Sequence, residues 1–160
     1  MILYGGSHFF IFSKRLTKVL IKPPLIAIMY LLSKYSCFLF YISAGMNHIL
    51  SPDFYIGLIP NYLPYPYGIN ILSGLLEMSL AFFILFPKSL KIGAWGIIIL
   101  LIFFIPSHIY FIQSGSCVPN GLCVNPIIGW LRLIIVHPLL IFWAWNVGKL
   151  NLRFTRWVSL

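Results

Sequence analysis

Hydrophobic side chains in this chain gather in four long stretches, at about residues 25–49, 67–86, 92–112 and 127–147. A helix rising 1.5 Å per residue needs roughly 20 residues to cross a hydrocarbon core of about 30 Å. Each stretch has that length. The pattern therefore predicts an all-α membrane protein, a bundle of four transmembrane helices.

The amino-acid composition argues against a soluble protein. The chain is 61% hydrophobic and 8% charged, with a mean hydropathy of +0.98, whereas soluble domains carry roughly 25% charged residues. We expect one membrane domain over 25–148, followed by a basic tail at 149–160. Residues 1–24 are expected to form a cytoplasmic segment, an interfacial helix that breaks at Lys22-Pro23-Pro24 before the first span.

Basic residues predict the orientation of the bundle. Nine lysines and arginines flank the apolar stretches, and a four-span topology places all of them on one side: Lys14, Arg15, Lys18, Lys22, Lys88, Lys91, Lys149, Arg153 and Arg156. The 50–66 and 113–126 loops on the other side contain no lysine or arginine. The positive-inside rule therefore predicts cytoplasmic termini and a multi-pass protein of the plasma (inner) membrane. The net charge of +9 favours contact with anionic lipid and argues against nucleic acid.

The two loops opposite the basic residues each carry a structural signal. Prolines 52, 60, 64 and 66 exclude one continuous helix through the 50–66 loop, and its tyrosines suit the headgroup region, so we expect an interfacial cap over the bundle. In the other loop, Cys117 and Cys123 flank a Pro-Asn-Gly turn, which predicts a disulfide. The five intervening residues differ from the Cys-x-x-Cys spacing of thiol oxidoreductases, which favours a structural bond.

Titratable groups within the spans are the candidate functional residues. Glu77, the only glutamate in the chain, lies near the middle of the second span. His48, His108 and Arg132 come from the other three spans, on the side of the two loops. A charged group costs about 2.5–3.5 kcal/mol at a helix centre, so we expect these four residues to share one intramembrane site, supported by Ser73 and Asn47.

Within that site, we expect Glu77 to pair with Arg132, because they are the only acid and the only arginine in the spans. Simpler interpretations stay open. The pair can serve only to fix helix order, and His48 can simply reach the interface. His137, which precedes Pro138, suits a structural role, and Lys34 is expected to reach back to the basic side. The histidines and the carboxylate lack the helical spacing of metal ligands, so no metal is predicted.

Several short motifs occur in a consistent order over about residues 35–146. They are Ala44–His48 followed by Ser51–Tyr55, Ile59–Pro64, Ser73–Glu77, Gly93–Trp95, Ile105–Tyr110 and Trp130–Leu133. Together they resemble the DoxX-like family of small four-helix membrane proteins. The resemblance implies a four-helix fold and, because the family's name comes from a subunit linked to quinone-dependent oxidation, an association with a redox partner subunit.

Three hypotheses about function follow. The first is a redox-associated subunit that binds a quinone or another lipid at the polar site. The second is a membrane enzyme or transporter that uses Glu77 to handle protons. The third is a structural or assembly protein without a ligand. The sequence has no phosphate-binding loop, haem-attachment motif or iron–sulfur cysteine cluster, so it identifies no soluble cofactor and assigns no enzymatic activity to the chain on its own.

Overall fold

The computed structural model describes the backbone of residues 6–118 and 121–158 and the side chains of residues 25, 27–118 and 121–149. The chain forms helices α1 (Gly6–Leu50), α2 (Pro52–Ile56), α3 (Pro66–Leu85), α4 (Leu90–Gln113), α5 (Pro126–Leu131) and α6 (His137–Val158). A π-helical segment, Arg132–Val136, joins α5 to α6. Across these described residues there is no β-strand, only an isolated bridge between Cys117 and Cys123.

Four segments are long and apolar enough to cross a membrane, which confirms the predicted four-span helical architecture. They are Ala27–Leu50, Pro66–Leu85, Leu90–Gln113 and Pro126–Lys149. Each bound lies within about two residues of the predicted one. The side of the molecule that carries the 51–65 and 114–125 connections is called the loop side below, and the side that carries Lys88, Lys91 and Lys149 the basic side.

The expected break at Lys22-Pro23-Pro24 is wrong. α1 runs from Gly6 through both prolines to Leu50. A proline inside a helix removes a hydrogen bond and disfavours the helical conformation of the residue before it. The helix nevertheless continues through both positions. The interfacial position expected for residues 1–24 stays a prediction.

The spans form a ring in which α1 packs on α3, α3 on α4, α4 on α6, and α6 again on α1. Glycines set the closest approaches in this ring. A Cβ atom on Gly45 of α1 would lie 2.6 Å from the carbonyl oxygen of Gly74 on α3, and one on Gly93 of α4 would lie 2.7 Å from the carbonyl oxygen of Leu80. This close packing brings helix backbones into direct contact.

The basic-side half of the ring is filled by a compact apolar core. It contains Cys37, Ala81, Ile84, Ile97 and Ala144, all essentially inaccessible. Lys34 is buried beside this core, and its Nζ donates a 2.7 Å hydrogen bond to the carbonyl of Leu85, the last residue of α3. Lys34 thus reaches toward the basic side as expected and satisfies a free carbonyl at a helix C-terminus.

The fourth span is not one regular helix. Asn125 begins it, its side chain accepting a hydrogen bond from the backbone N–H of Ile127 at 2.9 Å. The π-helical segment then inserts a wider turn directly before His137-Pro138. Pro138 lacks the N–H that a regular helix would use here, and a π-bulge absorbs such an interruption. Turns of this kind occur often at functional sites.

The two loop-side connections pack on each other. Leu58 from the first and Val118 from the second form a small buried cluster with Phe111. A Cβ atom on Gly57 would overlap the side chain of Val118, so only glycine fits this contact. The structure joins Cys117 and Cys123 by a disulfide beside Val118. The second connection therefore holds the first against the end of the bundle.

Removing this disulfide is expected to loosen the cap. Changing both Cys117 and Cys123 to serine should lower the free energy of unfolding by about 2 kcal/mol, because the cross-link restricts a short loop in the unfolded chain. Unfolding of the purified protein in mild detergent by increasing dodecyl sulfate measures the effect. Reductant should lower the stability of the wild type and leave the double-serine variant unchanged. Equal responses of the two proteins to reductant contradict the prediction.

Candidate functional site

A cavity of about 480 Å³ occupies the loop-side half of the ring. α1, α3, α4 and the π-helical segment with the start of α6 form its walls, and Tyr55, Leu58, Ile59 and Leu63 cover it from the loop side. The polar side chains that line it are Tyr41, His48, Tyr55, Asn70, Ser73, Glu77, Ser107, His108, Arg132 and His137. All four predicted site residues and Ser73 thus lie on one cavity.

Asn47 does not line the cavity. Its side-chain amide donates a 2.9 Å hydrogen bond to the hydroxyl of Tyr55. Tyr55 in turn stacks on the imidazole of His48, with ring centroids 3.7 Å apart and planes inclined by 21°. Burial raises the pKa of the Tyr55 phenol above its ordinary value, so this ring stays neutral. Asn47 therefore supports the site indirectly, by fixing the ring that covers His48.

His48 is held on its other side by Asn70, which is 1% exposed. The Asn70 amide nitrogen donates to the backbone carbonyl of His48 at 2.7 Å, which leaves its amide oxygen as the acceptor for His48 Nδ1 at 2.7 Å. His48 Nδ1 must therefore carry the proton of this hydrogen bond. The tautomer is set by Asn70, and His48 Nε2 is left facing the cavity.

Glu77 lies next to that nitrogen. Its Oε2 atom is 3.9 Å from His48 Nε2, and both side chains are less than a tenth exposed. Among the described residues, neither Glu77 Oε2 nor the buried hydroxyl of Tyr41 has a hydrogen-bond partner. Tyr41 is close enough to Glu77 to interact with it electrostatically. His48, Glu77 and Tyr41 thus place three buried polar groups on the wall of one cavity.

The expected pairing of Glu77 with Arg132 is not what the structure shows. Within the described part of the chain, the carboxylate of Glu77 has one ion-pair contact, with His48. Arg132 lines the same cavity and interacts electrostatically with Tyr55, His108 and His137 instead. The part of the cavity wall around Glu77 and His48 is called the Glu77 end below, and the part around Arg132 the Arg132 end.

The end at Arg132 contains two histidines in contact. The rings of His108 and His137 meet edge to face with centroids 4.9 Å apart. His137 Nε2 donates a 2.7 Å hydrogen bond to the carbonyl of Leu101 on α4. This bond ties the fourth span to the third one turn before Pro106, where the proline interrupts the regular pattern of the helix. His137 therefore links two spans and also lines the cavity, and the structural role expected for it stays a prediction.

The remaining cavity wall is apolar and reaches the outside of the bundle. Leu72, Leu76 and Phe103, on α3 and α4, line the cavity and are 57%, 41% and 73% exposed. These residues lie in candidate spans, so their exposed faces meet lipid chains. The cavity therefore combines a buried polar interior with apolar lining residues on α3 and α4 that are exposed at the surface of the bundle.

Sequence reasoning missed Tyr41, Tyr55 and Asn70. Asn70 lies seven residues before Glu77 with Ser73 and Gly74 between them, which is the spacing of one helix face. Tyr41 stands in the same relation to His48 on α1. This periodicity was a usable signal for both residues. Tyr55 had no such signal, because its position depends on how the 51–65 connection folds back over α1.

In the part of the chain that the structure describes, no three histidine, cysteine or acidic side chains are grouped as metal ligands. A family model matches residues 38–148, which contain every residue that lines the cavity. The chain belongs to the DUF8561 family. The family is described as a domain of unknown function. No curated protein and no solved structure matches this DUF8561 protein.

Proposed function

We propose that this DUF8561 protein is a multi-pass protein of the plasma (inner) membrane, with both termini in the cytoplasm, that binds a lipid-soluble molecule between its helices. The polar head of the ligand occupies the interior of the cavity, and its apolar part extends toward the lipid past the exposed lining residues Leu72, Leu76 and Phe103. The orientation is supported by the concentration of lysine and arginine on the basic side.

The observation that carries the proposal is the set of unpartnered buried groups on the cavity wall. Glu77 Oε2 and the Tyr41 hydroxyl have no hydrogen-bond partner among the described residues although both residues are at least 95% inaccessible. A buried polar atom without a partner costs about 1–3 kcal/mol. A ligand that bonds to these atoms recovers that cost. A purely structural role leaves it unexplained, so the hypothesis of an assembly protein without a ligand is the weaker one.

The size of the cavity agrees with such a ligand. Its volume of about 480 Å³ lies within the roughly 300–1,000 Å³ typical of pockets for small molecules. A quinone ring is one head of suitable size. The resemblance to the DoxX-like family also favours a quinone and a redox partner subunit, and both stay predictions. Electron transfer would require that partner, since the chain carries no motif for a redox group of its own.

The second candidate function is proton handling by Glu77. It is favoured by the 3.9 Å approach of Glu77 Oε2 to His48 Nε2, which allows one proton to reside on either residue. Asn70 holds the imidazole so that the same nitrogen always faces the carboxylate. A Glu77→Gln variant that keeps full activity in an assay which the deletion strain fails would exclude this candidate.

Filling the cavity tests the proposed function without touching its polar groups. Ala44→Phe adds a ring to the cavity wall on α1 and is expected to abolish co-purification of a lipid-like adduct. Native mass spectrometry of the full-length protein, released from detergent micelles, measures the adduct. The matched control is Leu39→Phe, which adds a ring-bearing side chain on the same helix at a position 60% exposed and outside the cavity.

Wild type and Leu39→Phe should carry the same adduct. A wild-type protein without any bound lipid or quinone, or an Ala44→Phe variant that retains it, contradicts the proposal.

A further inference from the structure

The nature of the ligand head follows from the atoms that converge at the Glu77 end of the cavity. We infer that His48, Glu77 and Tyr41, called the hydroxyl site below, bind a neutral hydroxyl group, an alcohol or a phenol, carried by an amphipathic molecule. This inference rests on the proposed function and makes it specific. It concerns which head group is selected, and the experiment below separates it from the question of whether any ligand binds.

The hydroxyl site offers a definite number of hydrogen-bond donors and acceptors. The Tyr41 hydroxyl is unpartnered and available as a donor. His48 Nδ1 is committed to Asn70, so only Nε2 faces the cavity. With one proton shared between His48 and Glu77, one of these two residues is a donor and the other an acceptor. The site therefore presents two donors and one acceptor to a ligand.

A hydroxyl group matches this count. Its oxygen accepts two hydrogen bonds and its own proton donates one. If Glu77 carries the shared proton, Glu77 and Tyr41 donate to the ligand and the ligand donates to His48 Nε2. If His48 carries it, His48 and Tyr41 donate and the ligand donates to Glu77. Every polar group is satisfied in both arrangements, and neither adds net charge to the cavity.

Other head groups match less well. A ketone or an ether accepts but cannot donate, which leaves His48 Nε2 or Glu77 Oε2 unpartnered in a buried position. The same holds for the carbonyls of an oxidised quinone, so of the two forms of a quinone the hydroxyl site favours the hydroquinone, which is a phenol. A carboxylate likewise lacks a donor and brings a second negative charge beside Glu77. The 3.9 Å separation of Nε2 and Oε2 also suits a bridging atom, because one oxygen can lie about 2.8 Å from both.

Asn70 acts as a positioning residue in this arrangement. Without its amide oxygen, His48 could move its proton from Nδ1 to Nε2 and present a donor to the cavity without accepting a proton from Glu77. The preference for a ligand that donates would then disappear. Selection of a hydroxyl group therefore depends on a side chain that does not itself belong to the hydroxyl site.

Matched probes of the same shape test the inference. The probes are 4-nonylphenol, its methyl ether 4-nonylanisole, the ketone 4-nonylacetophenone and the acid 4-nonylbenzoic acid. Binding to the full-length protein in lipid nanodiscs is measured by isothermal titration calorimetry, corrected for partition into protein-free nanodiscs. We expect the phenol to bind about ten- to a hundredfold more tightly than the ether, and more tightly than the ketone and the acid.

An Asn70→Leu variant should reduce the ratio of phenol to ether affinity to near one. The matched control is Asn146→Leu, which also removes an asparagine from a span, but one that bonds to the Phe142 carbonyl away from the cavity. The control should keep the wild-type ratio. If Asn70→Leu does not fold, the wild-type ratios alone decide.

Equal affinities for the phenol and the ether, or tighter binding of the ether, ketone or acid, overturn the inference and leave the proposed function standing. A folded Asn70→Leu variant with the full wild-type ratio overturns it as well. Absence of binding for every probe counts against the proposed function itself.

Discussion

Gly45→Val is expected to be among the most destabilising single substitutions in this protein, lowering the free energy of unfolding by about 3 kcal/mol. A Cβ atom at this position would lie 2.6 Å from the carbonyl oxygen of Gly74 and 3.2 Å from the backbone nitrogen of Met78. Backbone atoms cannot move aside without shifting the whole helix, so α1 and α3 must separate. Dodecyl sulfate unfolding in mild detergent, followed by circular dichroism, measures the loss.

Gly68→Val is the matched control. It lies near the start of α3 and is exposed, and a Cβ atom there meets only the Tyr65 side chain at an ordinary 3.8 Å. It makes the same chemical change without separating two helices, so we expect an effect well under about 1 kcal/mol. Similar losses in the two variants would mean that the cost comes from valine in a helix and not from the contact between α1 and α3.

Part of the site could be predicted from the sequence because it depends on the position of each span and not on how the helices pack. Span lengths and hydropathy depend on neighbouring residues alone, and they gave the spans to within about two residues. With the spans in place, counting residues along each helix gives the depth of every polar group. Depth was enough to predict that His48, Glu77, His108 and Arg132 share one site, and all four line one cavity.

The depth of each residue in the membrane was not enough to predict which side chain contacts Glu77. Which side chains meet depends on how each helix is rotated about its axis, and the close approach of Gly45 and Gly74 sets that rotation for α1 and α3. It places His48 opposite Asn70, with Glu77 about two turns further along the same face of α3. Charge alone favoured Arg132, but Arg132 lies on the π-helical segment, whose wider turn has no clear sequence signal beyond the nearby Pro138.

His48→Phe is expected to lower the free energy of unfolding by about 2 kcal/mol. The phenyl ring can keep the stacking with Tyr55, but it cannot donate to the buried amide oxygen of Asn70, which loses its 2.7 Å partner. Combining His48→Phe with Glu77→Gln, a near-isosteric change that removes the charge, forms a double-mutant cycle. Because the two side chains approach within 3.9 Å, we expect a coupling of about 1 kcal/mol between them.

The comparison that decides between the two candidate partners of Glu77 is a second cycle with Arg132→Met. Methionine keeps most of the length and the apolar stem of the arginine while removing its charge. Since no ion pair joins Glu77 to Arg132 in the described structure, the effects of Glu77→Gln and Arg132→Met should add to within about 0.5 kcal/mol. A larger coupling in this cycle than in the His48 cycle would restore the arginine as the partner of Glu77. The opposite result supports the structure, in which the partner of Glu77 is His48.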